Sequence, residues 1–302
     1  MVKFFVSRIK SSFHYLSRKG SVDLFFVHGE NHVNDRSSPI APSEISHWQA
    51  AANVTPLIQG AVHVWRASAY QPPQISDQLL QSLSQDEQDR VARLRFDHHR
   101  YRAIASRGIL RSILARYLNC DPKAVQFQYG IQGKPTLADA SSLPTLQFNL
   151  SHSHELVVYA IALQPVGIDV EFFREITGCD RLIKRYFSAQ EQALFNSLAA
   201  DAKQQAFFHY WTSKEAMLKA MGLGISDLKK IQLNPIGQCT QPYPIAGCCQ
   251  LATSWHLHSF EPEPNYFASI AIELPTMQLK YWQWALLQNL TGSHPIGYES
   301  IH

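Results

Sequence analysis

The chain has 302 residues, 45% of them hydrophobic and 17% charged, a composition that excludes a disordered chain and supplies apolar material for one large core or two ordinary ones. Its net charge of +3 is too mild for a dedicated nucleic-acid binder, and no apolar run approaches the ~18 residues a membrane span needs. Five cysteines (Cys120, Cys179, Cys239, Cys248, Cys249) form no C-x-x-C pair and no finger-like Cys/His spacing, which points to neither a disulfide framework nor structural zinc and fits a reducing cytoplasm.

Residues 1–55 read as an N-terminal extension and linker. Phe5, Ile9, Phe13 and Leu16 stand at helical spacing among basic residues, as in a transit-type or surface-lying helix, or in a loose extension; Arg8 and Lys10 break the apolar core a signal peptide needs. NDRSSPIAPSE then gives turn signals, and the folded body is expected from Pro56. AVHVWRAS alternates as a strand, and Ser84 caps a helix with acids in its first turn. RYRAIASRGILRSILARYLN sets Ile104, Ile109, Ile113, Leu114 and Tyr117 on a core face, with Arg102, Arg107, Arg111 and Arg116 on others. AVQFQYG, LQFNLSHS, ELVVYAIAL and VGIDVEF read as strands around a tight GKP turn and a polar turn. The second half repeats this order without residue-level similarity: helical SAQEQALFNSL, a long helix AKQQAFFHYWTSKEAMLKAMG, then β-rich SWHLHSFEP, YFASIAIEL and KYWQWALL. The expectation is an α+β fold of two similar halves, 56–166 and 167–302, joined near Gly167.

Three constellations carry chemistry. In GIDVEF, a strand period of two puts Asp169 and Glu171 on one side, opposite Ile168 and Val170. Two carboxylates so placed are either solvated acids on an edge strand or a pair compensated by a cation, for which Mg²⁺ with its oxygen ligands is the simplest choice. In YWTSKEAMLKAMG, Trp211, Glu215 and Lys219 share one helical stripe with Lys214 beside them. This is either a plain surface Glu–Lys pair or a third oxygen ligand with a base for an anionic substrate. In FNLSHSHE, Ser151 and His152 are expected at the turn after a strand, as a plain turn, a phosphate cradle, a hydrolytic serine or a histidine metal site; no G-x-S-x-G context and no further zinc ligands accompany them.

Taken in order, RYRAIASRGILR, GKP, FNLSHS, GIDVE and WTSKEAMLKAMGLG resemble the Sfp-type 4'-phosphopantetheinyl transferases, over about Trp65 to Leu233. The resemblance implies a pseudo-two-fold pair of α/β halves with coenzyme A (CoA) in the cleft between them. It further implies Mg²⁺-dependent transfer of the phosphopantetheine arm of CoA to a serine of an acyl- or peptidyl-carrier protein of fatty-acid, polyketide or nonribosomal-peptide synthases, releasing 3',5'-ADP. Asp169, Glu171 and Glu215 would hold the metal, Glu191 would serve as base for the carrier serine or for a relaying water, and Lys219 would hold the pyrophosphate. Lys214 would neutralise phosphate charge, and Ser151 and His152 would meet CoA phosphate. Lys134 and Arg102 would complete a basic rim with Arg90, although Glu87 stands on the Arg90 helix where some relatives carry a base. Glu191 reads equally as a helix cap after Ser188, and Arg107 and Arg111 as solvated helix charges. Arg174, Arg181, Lys184 and Arg185, interleaved with Phe172, Phe173, Ile176 and Leu182 and aided by Met217, Met221 and Leu223, would dock an acidic carrier helix. Rival readings are a Mg²⁺-dependent phosphodiesterase or phosphatase and a non-catalytic carrier binder. Two complete halves in one chain point to a monomer.

Overall fold

The computed structural model describes residues 47–51, 54–130, 133–138, 146–233, 255–274 and 277–285; the helical spacing at the N-terminus, Cys239, Cys248, Cys249 and the last residues of the chain lie outside these. The elements in chain order are β1 (Gln49–Ala50), β2 (Ala61–Ser68), α1 (Pro73–Ser82), α2 (Gln85–Ala92), α3 (Asp97–Leu118), β3 (Phe127–Tyr129), β4 (Pro135–Leu137), β5 (Gln147–Ser153), β6 (Leu156–Ala162) and β7 (Val166–Phe172). They continue with α4 (Cys179–Tyr186), α5 (Ala189–Ser197), α6 (Ala200–Met221), β8 (Trp255–Phe260), β9 (Tyr266–Glu273) and β10 (Gln278–Gln283). The fold is α+β.

Strand periodicity sorts the core into layers. On β2 and β6, Trp65, Ala67, Val157, Tyr159 and Ile161 face α1 and α3, packing with Leu79, Ile109, Leu110, Ile113 and Leu114. The alternate residues Val62, Val64, Val158 and Ala160 meet Ile168, Val170, Ile270 and Ile272 of the second sheet. That sheet's other face receives α6 and α4 through Phe207, Trp211, Met217 and Ile183. Both sheets are therefore buried on two faces, helices outside and sheets inside, which explains why β2 and β6 read as near-continuous apolar runs.

The first sheet has the order β1-β10-β2-β6-β5 and the second β7-β9-β8, with β3 and β4 forming a separate hairpin. The order corrects two expectations. KYWQWALL belongs to the first sheet: β10 runs parallel to β2, Trp282 opposite Trp65, so the last described strand crosses back over the join. Nor does the body begin at Pro56, because Gln49 and Ala50 pair with Trp282 and Gln283. Trp48 packs edge-on to Tyr281 and beneath Arg66, and Arg116 donates to the Ala51 carbonyl.

Gly167 fixes how closely α6 lies on β7. A methyl group there would come within 2.0 Å of the Ala216 carbonyl oxygen and 2.4 Å of the Ala220 nitrogen, both backbone atoms that no rotamer change can move aside. This close approach brings the C-terminal turn of α6 over the carboxylates that follow Gly167 in β7.

Candidate active site between the two halves

The edge strand of the first sheet, β5, lies beside the edge strand of the second, β7, and side chains rather than a backbone ladder join them. Three alternate residues of β5 take part. Asn149 Oδ1 accepts the Ile168 N–H at 3.0 Å, Ser151 Oγ donates to Asp169 Oδ1 at 2.7 Å, and Ser153 Oγ donates to Glu171 Oε2 at 2.8 Å. Ser153 Oγ also accepts the Phe172 N–H at 3.0 Å. Asp169 and Glu171 are 5% and 8% exposed, which rules out the solvated edge-strand reading.

From the opposite side α6 contributes Lys219, whose Nζ donates to Asp169 Oδ1 at 2.7 Å and to the Ile168 carbonyl at 3.1 Å. Glu215 lies one turn earlier, half-buried, on the stripe that Trp211 buries. Lys134 reaches across from the β3–β4 hairpin, and its Nζ donates to the carbonyls of Lys219 and Ala220 at 2.6 and 3.3 Å. A cation at the last carbonyls of a helix is favoured by the dipole, and an ammonium has a third proton left for another acceptor. Burial pulls Lys134 down to about 8. Ser151, Asp169, Lys219 and Lys134 thus form one polar chain where the two sheets meet, with both ends before Gly167 in the sequence and its middle after it.

Several expected positions fall elsewhere. Ser151 and His152 are inside β5, not at the turn after it; the turn comes at His154, whose φ is 51°. Strand alternation sends Ser151 and His152 to opposite faces, so the two side chains cannot form one cradle. Ser151 has a single O–H and gives it to Asp169, so it has no proton to donate to a phosphate.

Glu191 and Lys214 make a buried ion pair of their own at 2.6 Å, the two side chains 2% and 0% exposed. Glu191 Oε2 also takes the Ser188 N–H, closing the capping box of α5, and Oε1 takes the Leu233 N–H. With both oxygens occupied and the carboxylate enclosed, Glu191 is not placed to receive a proton from a docked protein, and a lysine without exposed surface cannot meet a phosphate. Burial holds Lys214 below the usual lysine range, with Glu191 opposing that shift.

Arg90 is exposed, tied to Asp86 at 2.8 Å and stacked over Tyr129, an arrangement that keeps it on the surface of α2. Its neighbour Glu87 is 4% exposed and held by Arg107 and Arg111 at 3.2 and 2.7 Å, so those arginines are structural partners of a buried acid rather than solvated charges. Arg102 donates to Tyr70 Oη at 3.2 Å. Met217 is 1% exposed and belongs to the core, whereas Arg174, Arg181, Lys184 and Arg185 are exposed as expected, the last three on the outer face of α4. The sequence reading missed Asn149 and Ser153, although polar residues at every second position of β5 were a visible signal.

The site fits a hard divalent cation. Asp169 Oδ2 is buried and makes no hydrogen bond, which leaves a carboxylate oxygen for a cation. Among the described residues no three His, Cys, Asp or Glu side chains close into a cage. Mg²⁺ does not require one, since it is usually bound by one or two carboxylates together with substrate phosphates and waters.

Comparison with known proteins gives the family. Residues 165–271 match the 4'-phosphopantetheinyl transferase superfamily, and residues 65–164 match the N-terminal domain described as 4'-phosphopantetheinyl transferase, N-terminal. The 4'-phosphopantetheinyl transferase HetI of Nostoc sp. is 40% identical over 231 residues, 76% of this chain and 94% of the relative. The 4'-phosphopantetheinyl transferase Sfp of Bacillus subtilis is 26% identical over 66% of this chain and 86% of its own length. A phosphopantetheinyl transferase of Thraustochytrium sp. is 32% identical over 55% and 62%. Matched along both halves, and by a relative spanned almost end to end, the chain belongs to the 4'-phosphopantetheinyl transferase family and is an enzyme of that class.

Proposed function

We propose that the protein transfers the 4'-phosphopantetheine arm of CoA to a serine of an apo acyl- or peptidyl-carrier protein and releases 3',5'-ADP, with Mg²⁺ held by Asp169, Glu171 and Glu215 together with phosphates of CoA, which would complete a set those three side chains do not close by themselves. The observation that carries this reading is the buried Asp169, shared between Ser151 and Lys219 with its second oxygen unpartnered. The metal, when bound, neutralises charge on the phosphates of CoA. Lys219 holds Asp169 in place and presents its ammonium to the pyrophosphate; Lys134, Arg102 and His152 supply the basic side of the nucleotide pocket. As the serine oxygen bonds to phosphorus, the bond to the 3',5'-ADP oxygen breaks, and the serine proton passes to Glu215 directly or through water, because Glu191 is enclosed by Lys214.

The exposed Arg174, Arg181, Lys184 and Arg185 form the docking face for an acidic carrier helix. Among the described residues no helix is long and apolar enough to cross a membrane, and Cys120 and Cys179 are free thiols. The free thiols fit a reducing cytoplasm, and two complete halves in one chain fit a monomer.

The test is incubation with CoA, Mg²⁺ and a panel of apo-carrier proteins: the expected product is a carrier heavier by one phosphopantetheine group. Unmodified carriers throughout, where a known transferase modifies them, would contradict the reading. CoA cleavage in the absence of carrier would favour the phosphodiesterase.

Lys134 makes the pocket pH-sensitive. Its ammonium is mostly charged below about pH 8 and mostly neutral above it. Affinity for 3',5'-ADP is expected to fall several-fold between pH 7 and 9, while Lys134→Arg, which stays charged, flattens the dependence. An unchanged slope in that variant would remove Lys134 from the pocket.

A further inference from the structure

The polar face of β5 does more than hold two strands together. Asn149, Ser151 and Ser153 alternate along β5, and each meets β7 with Ser151–Asp169 and Ser153–Glu171 offset by the same 18 residues. The two strands are thus in parallel register, but the bonds across the gap are made by side chains. Asn149 and Ser153 accept the outward N–H groups of Ile168 and Phe172, one on either side of the acidic pair. Those two bonds hold the backbone of the D-x-E segment at both ends. The two serine hydroxyls then fix the carboxylates themselves.

Ser153 is the most constrained of the three. It is 2% exposed, its only proton is directed to Glu171 Oε2, and its oxygen accepts from Phe172. A hydroxyl locked as donor and acceptor at once has one orientation, and it passes that orientation to the carboxylate it touches. Outer partners of metal-binding carboxylates set their direction in this way, and removing them weakens metal binding while the ligand itself remains.

We infer that Ser153 is a positioning residue that aims Glu171 at the metal, and that the first half thereby tunes a metal site whose ligands all lie in the second. This rests on the metal reading given above. A serine that only tied the sheets together would change stability without changing metal affinity, so the two roles separate experimentally.

The measurement is Mn²⁺ binding, followed by EPR, to the full chain with CoA present and no carrier protein, so that no turnover occurs. Ser153→Ala is expected to weaken Mn²⁺ binding by about 10- to 100-fold. Ser153→Thr, which keeps the hydroxyl, should stay near wild type, and 3',5'-ADP affinity measured without metal should not move in either variant. Should the alanine variant fail to fold, Ser153→Cys keeps the volume with a much weaker donor and carries the same comparison. Wild-type Mn²⁺ affinity in a folded Ser153→Ala or Ser153→Cys variant overturns the inference and leaves the metal site standing. Failure of the wild-type protein to bind Mn²⁺ overturns the metal reading itself, and the role of Ser153 with it.

Discussion

Asp169→Asn is expected to lower kcat/KM for phosphopantetheine transfer by about 10³-fold, a loss of several kcal/mol of transition-state stabilisation. Asparagine keeps the shape and an acceptor oxygen for Ser151 and Lys219, so the hydrogen bonds at 2.7 Å from each have a partner in the variant. What disappears is the anionic oxygen left without a partner, Oδ2, together with the charge that balances Lys219. Because the side chain of Lys219 is 27% exposed, its ammonium retains some access to water and the fold should survive the loss of its counter-charge. The variant is therefore expected to melt close to wild type while transferring almost nothing, and Mn²⁺ affinity should fall with activity. A rate within a few-fold of wild type would mean that Asp169 is a structural partner of Lys219 and that the reacting phosphate lies elsewhere.

The Asp169 cluster was legible in the sequence because strand and helix periods determine which side chains share a face. Asp169 with Glu171, and Glu215 with Lys219, follow from periods of two and 3.6 alone. Their meeting does not follow from either period; it depends on α6 lying against Gly167, a tertiary contact. The family resemblance supplied that juxtaposition, and the shared contacts of Lys219 with Ile168 and Asp169 agree with it.

Where the reading failed, burial was the missing quantity. Glu191, Lys214, Glu87 and Arg111 are charged residues on amphipathic helices, and their sequence spacing is compatible with either a solvent face or an internal ion pair. Only the packing of α5 on α6 and of α2 on α3 shows that these four are enclosed. The misplaced β10 has a similar origin. Its alternation identifies a strand, but no local pattern says that Trp282 pairs with Trp65 instead of continuing the second sheet. No helix is assigned to α4 from the sequence, because the residues it buries, Cys179, Ile183 and Tyr186, stand at helical intervals over only two turns.

The enclosed pair of Lys214 and Glu191 supports the second large effect. Lys214→Met is expected to destabilise the protein by about 3–5 kcal/mol, because it leaves Glu191 buried with its charge uncompensated. The lost contact includes packing as well, since the ammonium sits 4.7 Å from the centre of the Phe187 ring. Adding Glu191→Gln to Lys214→Met should recover a large part of the loss: it removes the orphaned charge, and the amide oxygen can still accept one of the two N–H groups, from Ser188 or Leu233, that the carboxylate now holds. Denaturant titration of the two single variants and the double variant forms a cycle that isolates the pair. The same variants decide between the two roles of Lys214. If it contacts CoA phosphate, Lys214→Met raises KM for CoA and leaves stability nearly unchanged; if it compensates Glu191, stability falls first, and the activity that remains at low temperature keeps its wild-type KM.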